Sequence, residues 1–177
     1  IELILGTGKL RPGNIVAVTD KSGVETTVGY KNVIVATGAR ARTFPSLPVD
    51  GERVITYRHA LDLRTCPQKL LVVGAGAIGI EFAYFYSSFG AEVTVVEVMD
   101  SLLPIEDQEV SKALEKSFKK AGIQIKTQTQ VESLVRKGQG VSAILKSGEK
   151  VEQWDGDYCL VAVGVQGNSE NLGLEEV

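Results

Sequence analysis

Two apolar rhythms alternate along this chain. KLLVVG (69–74) ends a short unbroken apolar run, the pattern of a strand buried on both faces. Past a glycine cluster, Ile78, Phe82, Phe85, Tyr86 and Phe89 recur at i, i+4, i+7, i+8 and i+11. That spacing predicts a helix over 78–89 with those five residues facing inward. Gly90 stands where a helix commonly ends in a left-handed residue. EVTVVE (92–97) reads as the next strand, so strand, helix and strand form a parallel βαβ unit. Residues 70–89 carry a single charge, Glu81. Three glycines would nevertheless interrupt a spanning helix, so a buried strand and helix are expected rather than a membrane segment.

The flanking segments follow the same logic. IELIL (1–5) predicts a strand leading into a turn at Gly6-Thr7-Gly8. IVAVT (15–19) and VETTV (24–28) flank DKSG as a hairpin. NVIVATG (32–38) predicts a strand closed by a glycine turn. An extended linker carrying Pro45 and Pro48 follows, then a short helical stretch near residues 59–63. A second long helix is expected over 107–121, with Asp107 and Glu109 at its start and Lys119 and Lys120 at its end, as the helix dipole favours. Val110, Leu114, Ser117, Phe118 and Ala121 mark its inner face, and Gly122 stops it. IQIKT (123–127) is a third strand. VESLV, VSAILK and EKVEQ suggest an antiparallel meander, and YCLVAVG (158–164) a last buried strand.

Composition narrows the chemistry. In 177 residues, 19 Lys and Arg face 22 Asp and Glu, a net charge of −3, which argues against a nucleic-acid partner. One histidine, His59, and two cysteines, Cys66 and Cys159, are too few for a Cys/His zinc site or a disulfide framework. Two lone cysteines fit a reducing compartment. Nineteen glycines exceed the usual share of about 7% and sit singly at turns, save for one cluster. The chain opens at Ile1 without a methionine and stops at LGLEEV, so a piece of a longer protein is expected.

That cluster, Gly74-Ala75-Gly76-Ala77-Ile78-Gly79, fits G-x-G-x-x-G. The pattern alone also describes a tight turn that binds nothing. Its context, a strand before, a helix after and an acid closing the second strand at Glu97, is that of a dinucleotide site. Gly74 permits the sharp turn, Gly76 lets backbone approach a pyrophosphate, and Gly79 lets helix and strand pack closely. Glu97 would accept the ribose hydroxyls of NAD. It would repel a 2′-phosphate, and the following VMDSLL offers no cation, so NAD is favoured over NADP. Glu97 could also be a plain strand-end charge. Glu81 is open to two readings, a polar helix face or a carboxylate near the nicotinamide.

VVGAGAIGIEFAYFYSSFGAEVTVVE, with SLLPIEDQEVSKALEKSFKKAGI, resembles the NAD domain of the pyridine nucleotide–disulfide oxidoreductases, and within that family its dihydrolipoamide dehydrogenase branch. NVIVATGARARTFP resembles the segment leaving the FAD domain, and LVAVGVQGNSENLGLEEV the strand returning to it. The resemblance implies an α/β fold: a Rossmann-like NAD-binding domain over 45–165, with a parallel sheet and an antiparallel β meander. It implies a β-rich FAD-domain remnant over 1–44 and a return segment over 166–177. Gly8, Thr37, Gly38 and Ala39 would then contact FAD. Glu81 would face the nicotinamide and pair with a lysine outside this chain, Val131 would touch the adenine, and Gly164 would lie near the nicotinamide. Other implications are a homodimer in full length, a lipoyl-bearing protein as substrate, the remainder of its own chain as partner, and a cytoplasmic location, or the mitochondrial matrix in a eukaryote. The family's Cys-x4-Cys pair, first FAD glycine motif, FAD-binding Asp segment and catalytic His–Glu pair are not in this sequence, and Gly167 stands where the family usually has Pro. This stretch alone is therefore expected to bind NAD and catalyse nothing. A sister flavin disulfide reductase, an NADH oxidase and a non-enzymatic NAD-binding module remain open alternatives.

Overall fold

A computed structural model describes all residues, 1–177, and the chain packs as two units. The first comprises residues 1–40 and 166–177. Its sheet is three antiparallel strands in sequence order: β1 (Thr7–Arg11), β2 (Ile15–Thr19) and β3 (Glu25–Gly29). The hairpin between β2 and β3 forms as expected, and Asp20 closes its loop by accepting the Ser22 and Val24 amides at 2.8 and 2.9 Å. Leu10 and Ala17 are this unit's buried apolar side chains. The C-terminal segment returns to β1, where the Leu10 amide donates to the Leu172 carbonyl at 2.7 Å.

Three expectations for this unit fail. Residues 1–5 form no strand, the turn expected at Gly6-Thr7-Gly8 is instead the start of β1, and residues 32–38 are irregular. The cause is the same at both apolar runs. No neighbouring strand takes up the backbone groups of residues 1–5 or 32–38, and Ile1, Leu3, Leu5 and Ile34 lie exposed. Apolar alternation makes a strand only where a ladder partner exists. A short strand, β4 (Ala39–Ala41), follows.

The second unit spans residues 41–165. It contains β5 (Val54–Ile55), α1 (Tyr57–Asp62), β6 (Lys69–Val73), α2 (Ala77–Ser88), β7 (Glu92–Val96), α3 (Gln108–Lys120) and β8 (Gln124–Lys126). The meander β9 (Gln130–Lys137), β10 (Gly140–Ser147) and β11 (Lys150–Gly156) comes next, then β12 (Tyr158–Val161). β13 (Val165–Gly167) closes the strand series. Five strands make one parallel sheet in the order β5-β12-β6-β7-β8. The meander strands pair antiparallel in the order β11-β10-β9.

Strand alternation sorts the core into two layers. Leu70 and Val72 of β6 face the cluster that holds Ala83, Tyr86, Phe118 and Ile123 from the helical side. Leu71 and Val73 face Val131, Leu134, Val141, Leu145 and Trp154 of the meander. The sheet is thus covered on both faces, which explains why its strands read as unbroken apolar runs.

Both long helices form, and each turns only part of its expected face inward. On α2 Ile78, Phe82 and Tyr86 of the expected stripe pack against the core together with Gly79 and Ala83, while Phe85 and Phe89 are exposed, contrary to expectation. Two small residues bring the helix axis close to the sheet, and Phe85 and Phe89 cannot fit beneath it. On α3 the buried positions are Ser111 and Phe118, with Leu114 partly covered; Val110, Ser117 and Ala121, expected inside, are exposed. Ser111 can be buried because its hydroxyl donates to the Asp107 and Leu103 carbonyls. The α2 C-terminus matches expectation: Gly90 has φ +94, and the Ala91 amide donates back to the Tyr86 carbonyl at 3.0 Å. No helix is long and apolar enough to cross a membrane.

Candidate functional site

The carboxyl ends of β12, β6 and β7 lie side by side, and the chain leaves β6 for α2 between the other two. This is the crevice where open α/β sheets bind their ligands. A cleft of about 660 Å³ opens there, lined by Gly74, Gly76, Ala77 and Ile78 of the glycine loop, together with Glu97, Val131 and Gly164.

Each loop glycine has a distinct geometric role. Gly74 has φ +102, and a Cβ there would collide with the Ala162 carbonyl just past neighbouring β12. A Cβ on Gly79 would collide with the Gly74 carbonyl oxygen, so this glycine brings α2 against the end of β6. Gly76 differs: a Cβ there would meet nothing within 4 Å, because it would point into open cleft. Neither packing nor backbone geometry demands glycine at this position (its φ is −72). The amides heading α2 have no carbonyl within the helix to accept them; the first helical bond runs from the Ile80 amide to Gly76. The loop therefore offers a row of N–H donors and the positive end of a twelve-residue helix.

Glu97, directly after β7, is 8% exposed. Its Oε2 accepts the Ala75 amide at 2.7 Å and its Oε1 the Met99 amide at 2.9 Å. Its own amide donates to Lys126, and its carbonyl accepts from Thr129. The Ala75 carbonyl in turn accepts the Leu103 amide at 2.9 Å, so the Ala75 residue is held on both its polar groups. Leu103 has φ +47, a left-handed conformation that costs a leucine about 1–2 kcal/mol. Glu97 is the only charged side chain lining the cleft. The lysines on that edge of the unit are engaged elsewhere, Lys126 with Glu152 and Lys146 with Glu132.

The structure thus gathers Gly74, Gly76, Ala77, Ile78, Glu97, Val131 and Gly164 around one cleft. Ala75 and Gly79 are buried behind it. Glu81 is exposed and lines a different hollow, beside Phe82, Phe85 and Cys66. Gly8, Thr37, Gly38 and Ala39 belong to the first unit. Gly8 lies within β1, opposite Val18, and Gly38 has φ +75. The Thr37 hydroxyl donates to the Asn168 carbonyl at 2.5 Å, and the Asn168 side-chain amide returns a bond to the Thr37 carbonyl at 3.0 Å. Arg40 adds two bonds to Glu170, at 2.6 and 3.0 Å, which hold the Glu170 carboxyl down at about 2. Sequence reasoning missed Phe44, Ser46, Ile105 and Thr129 as cleft residues. Phe44 falls in what reads as a proline-bracketed linker, and Leu103 is not a residue type that announces a left-handed turn.

The sequence matches the description of the pyridine nucleotide–disulphide oxidoreductases over residues 1–177. This chain belongs to that family. A dihydrolipoyl dehydrogenase of Zymomonas mobilis is 44% identical to all of this chain, which spans 38% of that protein. A dihydrolipoamide dehydrogenase of Chaetomium thermophilum is 39% identical, again over the whole chain and 36% of the relative. Among solved structures, LpdA from Mycobacterium tuberculosis superposes with a TM-score of 0.87 at 35% identity, covering 98% of this chain and 39% of that one. RclA from Escherichia coli, a flavoprotein disulfide reductase, superposes with a TM-score of 0.82 at 24% identity and shares the fold. The chain therefore spans well under half the length of the pyridine nucleotide–disulphide oxidoreductases it matches. Members of this family work with FAD and a pyridine nucleotide.

Proposed function

We propose that residues 41–165 bind NAD and serve as the nicotinamide-nucleotide station of a FAD-dependent dihydrolipoyl dehydrogenase. The observation that carries this reading is the Glu97 carboxylate, fixed by the Ala75 amide at the mouth of the glycine loop. A diphosphate fits in front of Gly76, where the helix-end amides are free and a Cβ would otherwise stand. The adjoining adenosine ribose then meets Glu97, whose oxygens each retain acceptor capacity beyond the one amide they take. Val131 offers apolar contact at that end, and Gly164 leaves room at the other. A 2′-phosphate would place its charge against Glu97 with no cleft cation to offset it, so NAD is preferred to NADP.

The bound nicotinamide supplies the chemistry, acting as hydride acceptor or donor. This chain's residues orient it. The loop amides hold the diphosphate, Glu97 holds the ribose, and the ring end of the dinucleotide projects toward Gly164. The relatives' names support dihydrolipoamide as the reductant of the whole protein. FAD as the intermediate carrier, Gly8, Thr37, Gly38 and Ala39 on the flavin side, Glu81 near the nicotinamide although it lies outside the cleft of this chain, and a homodimer as the working form rest on the resemblance to the family. Assay of the full-length protein tests the reading. Dihydrolipoamide-dependent NADH formation is expected, and a flavoprotein that reduces NAD with some other dithiol but not with dihydrolipoamide contradicts it.

A further inference from the structure

We infer that Phe44 is a cofactor-binding residue whose ring face receives the nicotinamide and favours its oxidised, cationic form. The inference rests on the NAD reading above and adds a contact to it. The cleft crosses the ends of three adjacent strands, from Glu97 after β7, past Gly74 after β6, to Gly164 after β12. Two strand spacings, roughly 10 Å, separate the first from the last. A dinucleotide gripped by its adenosine ribose at Glu97 and by its diphosphate at Gly76 therefore carries its second ring toward Gly164.

Phe44 is the aromatic residue of the cleft lining. The segment bearing it is tied down on either side. The Arg42 amide donates to the Gly164 carbonyl at 2.9 Å, and the Leu47 amide donates to the Phe44 carbonyl at 2.9 Å, with Leu47 buried in the meander-side core. Pro45 restricts Phe44 itself to extended backbone. Phe44 is nonetheless 44% exposed and takes part in no ring–ring or cation–ring contact of the chain. Gly164, which lines the same cleft at φ +105, has nothing within 4 Å of where a Cβ would stand. A planar ring can enter that space and lie on Phe44.

Charge selects which ring state gains most. The one carboxylate of the lining, Glu97, is at the far end of the cleft. A positive nicotinamide ring meets the negative face of an aromatic side chain near Gly164, whereas the reduced ring is neutral and keeps only the stacking contact.

The test compares three ligands on the full-length protein and its Phe44→Leu and Phe44→Tyr variants: NAD⁺, NADH, and ADP-ribose, which lacks the nicotinamide. Phe44→Leu is expected to weaken NAD⁺ about 3–5-fold, the size of an exposed cation–π contact, and NADH less. ADP-ribose affinity should stay unchanged, and Phe44→Tyr should restore NAD⁺ binding. Unchanged NAD⁺ affinity in Phe44→Leu, or an equal loss for ADP-ribose, overturns the role of Phe44 while leaving the cleft reading intact. A wild-type protein that binds neither ADP-ribose nor NAD⁺ overturns both.

Discussion

The Glu97 carboxylate and the Ala75 amide meet at 2.7 Å, so the acid that closes β7 is built into the loop that closes β6. Its second oxygen takes the Met99 amide. Both oxygens are therefore needed as acceptors. Glu97→Gln places an NH₂ against one of these two amides and is expected to cost nearly as much NADH affinity as Glu97→Ala, about 1.5–3 kcal/mol, the scale of a hydrogen bond to a charged group. Calorimetry on the two variants checks this. Wild-type affinity in Glu97→Gln would contradict the dual role.

The three loop glycines should separate folding from binding. Gly76→Ala adds a methyl to open space and should leave the melting temperature within about 1–2 °C, since surface changes usually stay within ~0.5 kcal/mol. It should still abolish NADH binding, because the methyl would stand where the proposed diphosphate site lies. Gly74→Ala and Gly79→Ala drive a Cβ into backbone carbonyls and should destabilise the fold itself by about 1–3 kcal/mol or more. A Gly76→Ala variant that binds NADH normally would move the diphosphate elsewhere.

How much of this was readable from the chain depends on which physics decides each element. The β6-α2-β7 unit, the meander and Gly90's role follow from local periodicity and turn chemistry, and they appear where expected. The inner face of α2 is legible only in part, at Ile78, Phe82 and Tyr86, because apolarity is not size: Gly79 and Ala83 go inside to let backbones approach, and Phe85 and Phe89 stay out. Ser111 replaces Val110 on α3 because two carbonyls, set by the preceding turn, satisfy its hydroxyl. Residues 1–5 and 32–38 have strand composition without a ladder partner. At the candidate cleft, the placement of the glycine loop and Glu97 is legible from spacing. Phe44 and Leu103 were not, since only tertiary folding brings a linker and a left-handed turn to the cleft.

The two cysteines should differ in reactivity. Cys159 is fully buried on β12, and burial pushes its thiol well up from its ordinary value, while Cys66 is exposed. Alkylation of the native protein near pH 8 should label Cys66 and spare Cys159 until denaturant is added. Peptide mass mapping reads this directly, and native labelling of Cys159 would show that β12 opens.

Acid should act on the first unit through Glu170. Its hydrogen bonds from Arg40 depress the carboxyl to about 2 from an ordinary 4.5. A depressed carboxylate lends its stabilisation in full above the ordinary value and loses it as pH falls toward the depressed one. The Arg40–Glu170 link should therefore persist at pH 5 and weaken between about pH 4.5 and 2. An NMR titration of the Glu170 carboxyl carbon should show a midpoint near the low end of that range, and Arg40→Ala should return it toward 4.5. A wild-type midpoint already at 4.5 would mean the ion pair is not held in solution.

The most direct test of the central claim is a calorimetric titration of NADH and, separately, NADPH into the full-length protein. Saturable one-to-one binding of NADH is expected, with NADPH at least tenfold weaker, because in the proposed site a 2′-phosphate would face Glu97 unopposed. Absence of NADH binding, or equal affinity for the two nucleotides, would contradict the assignment of this cleft.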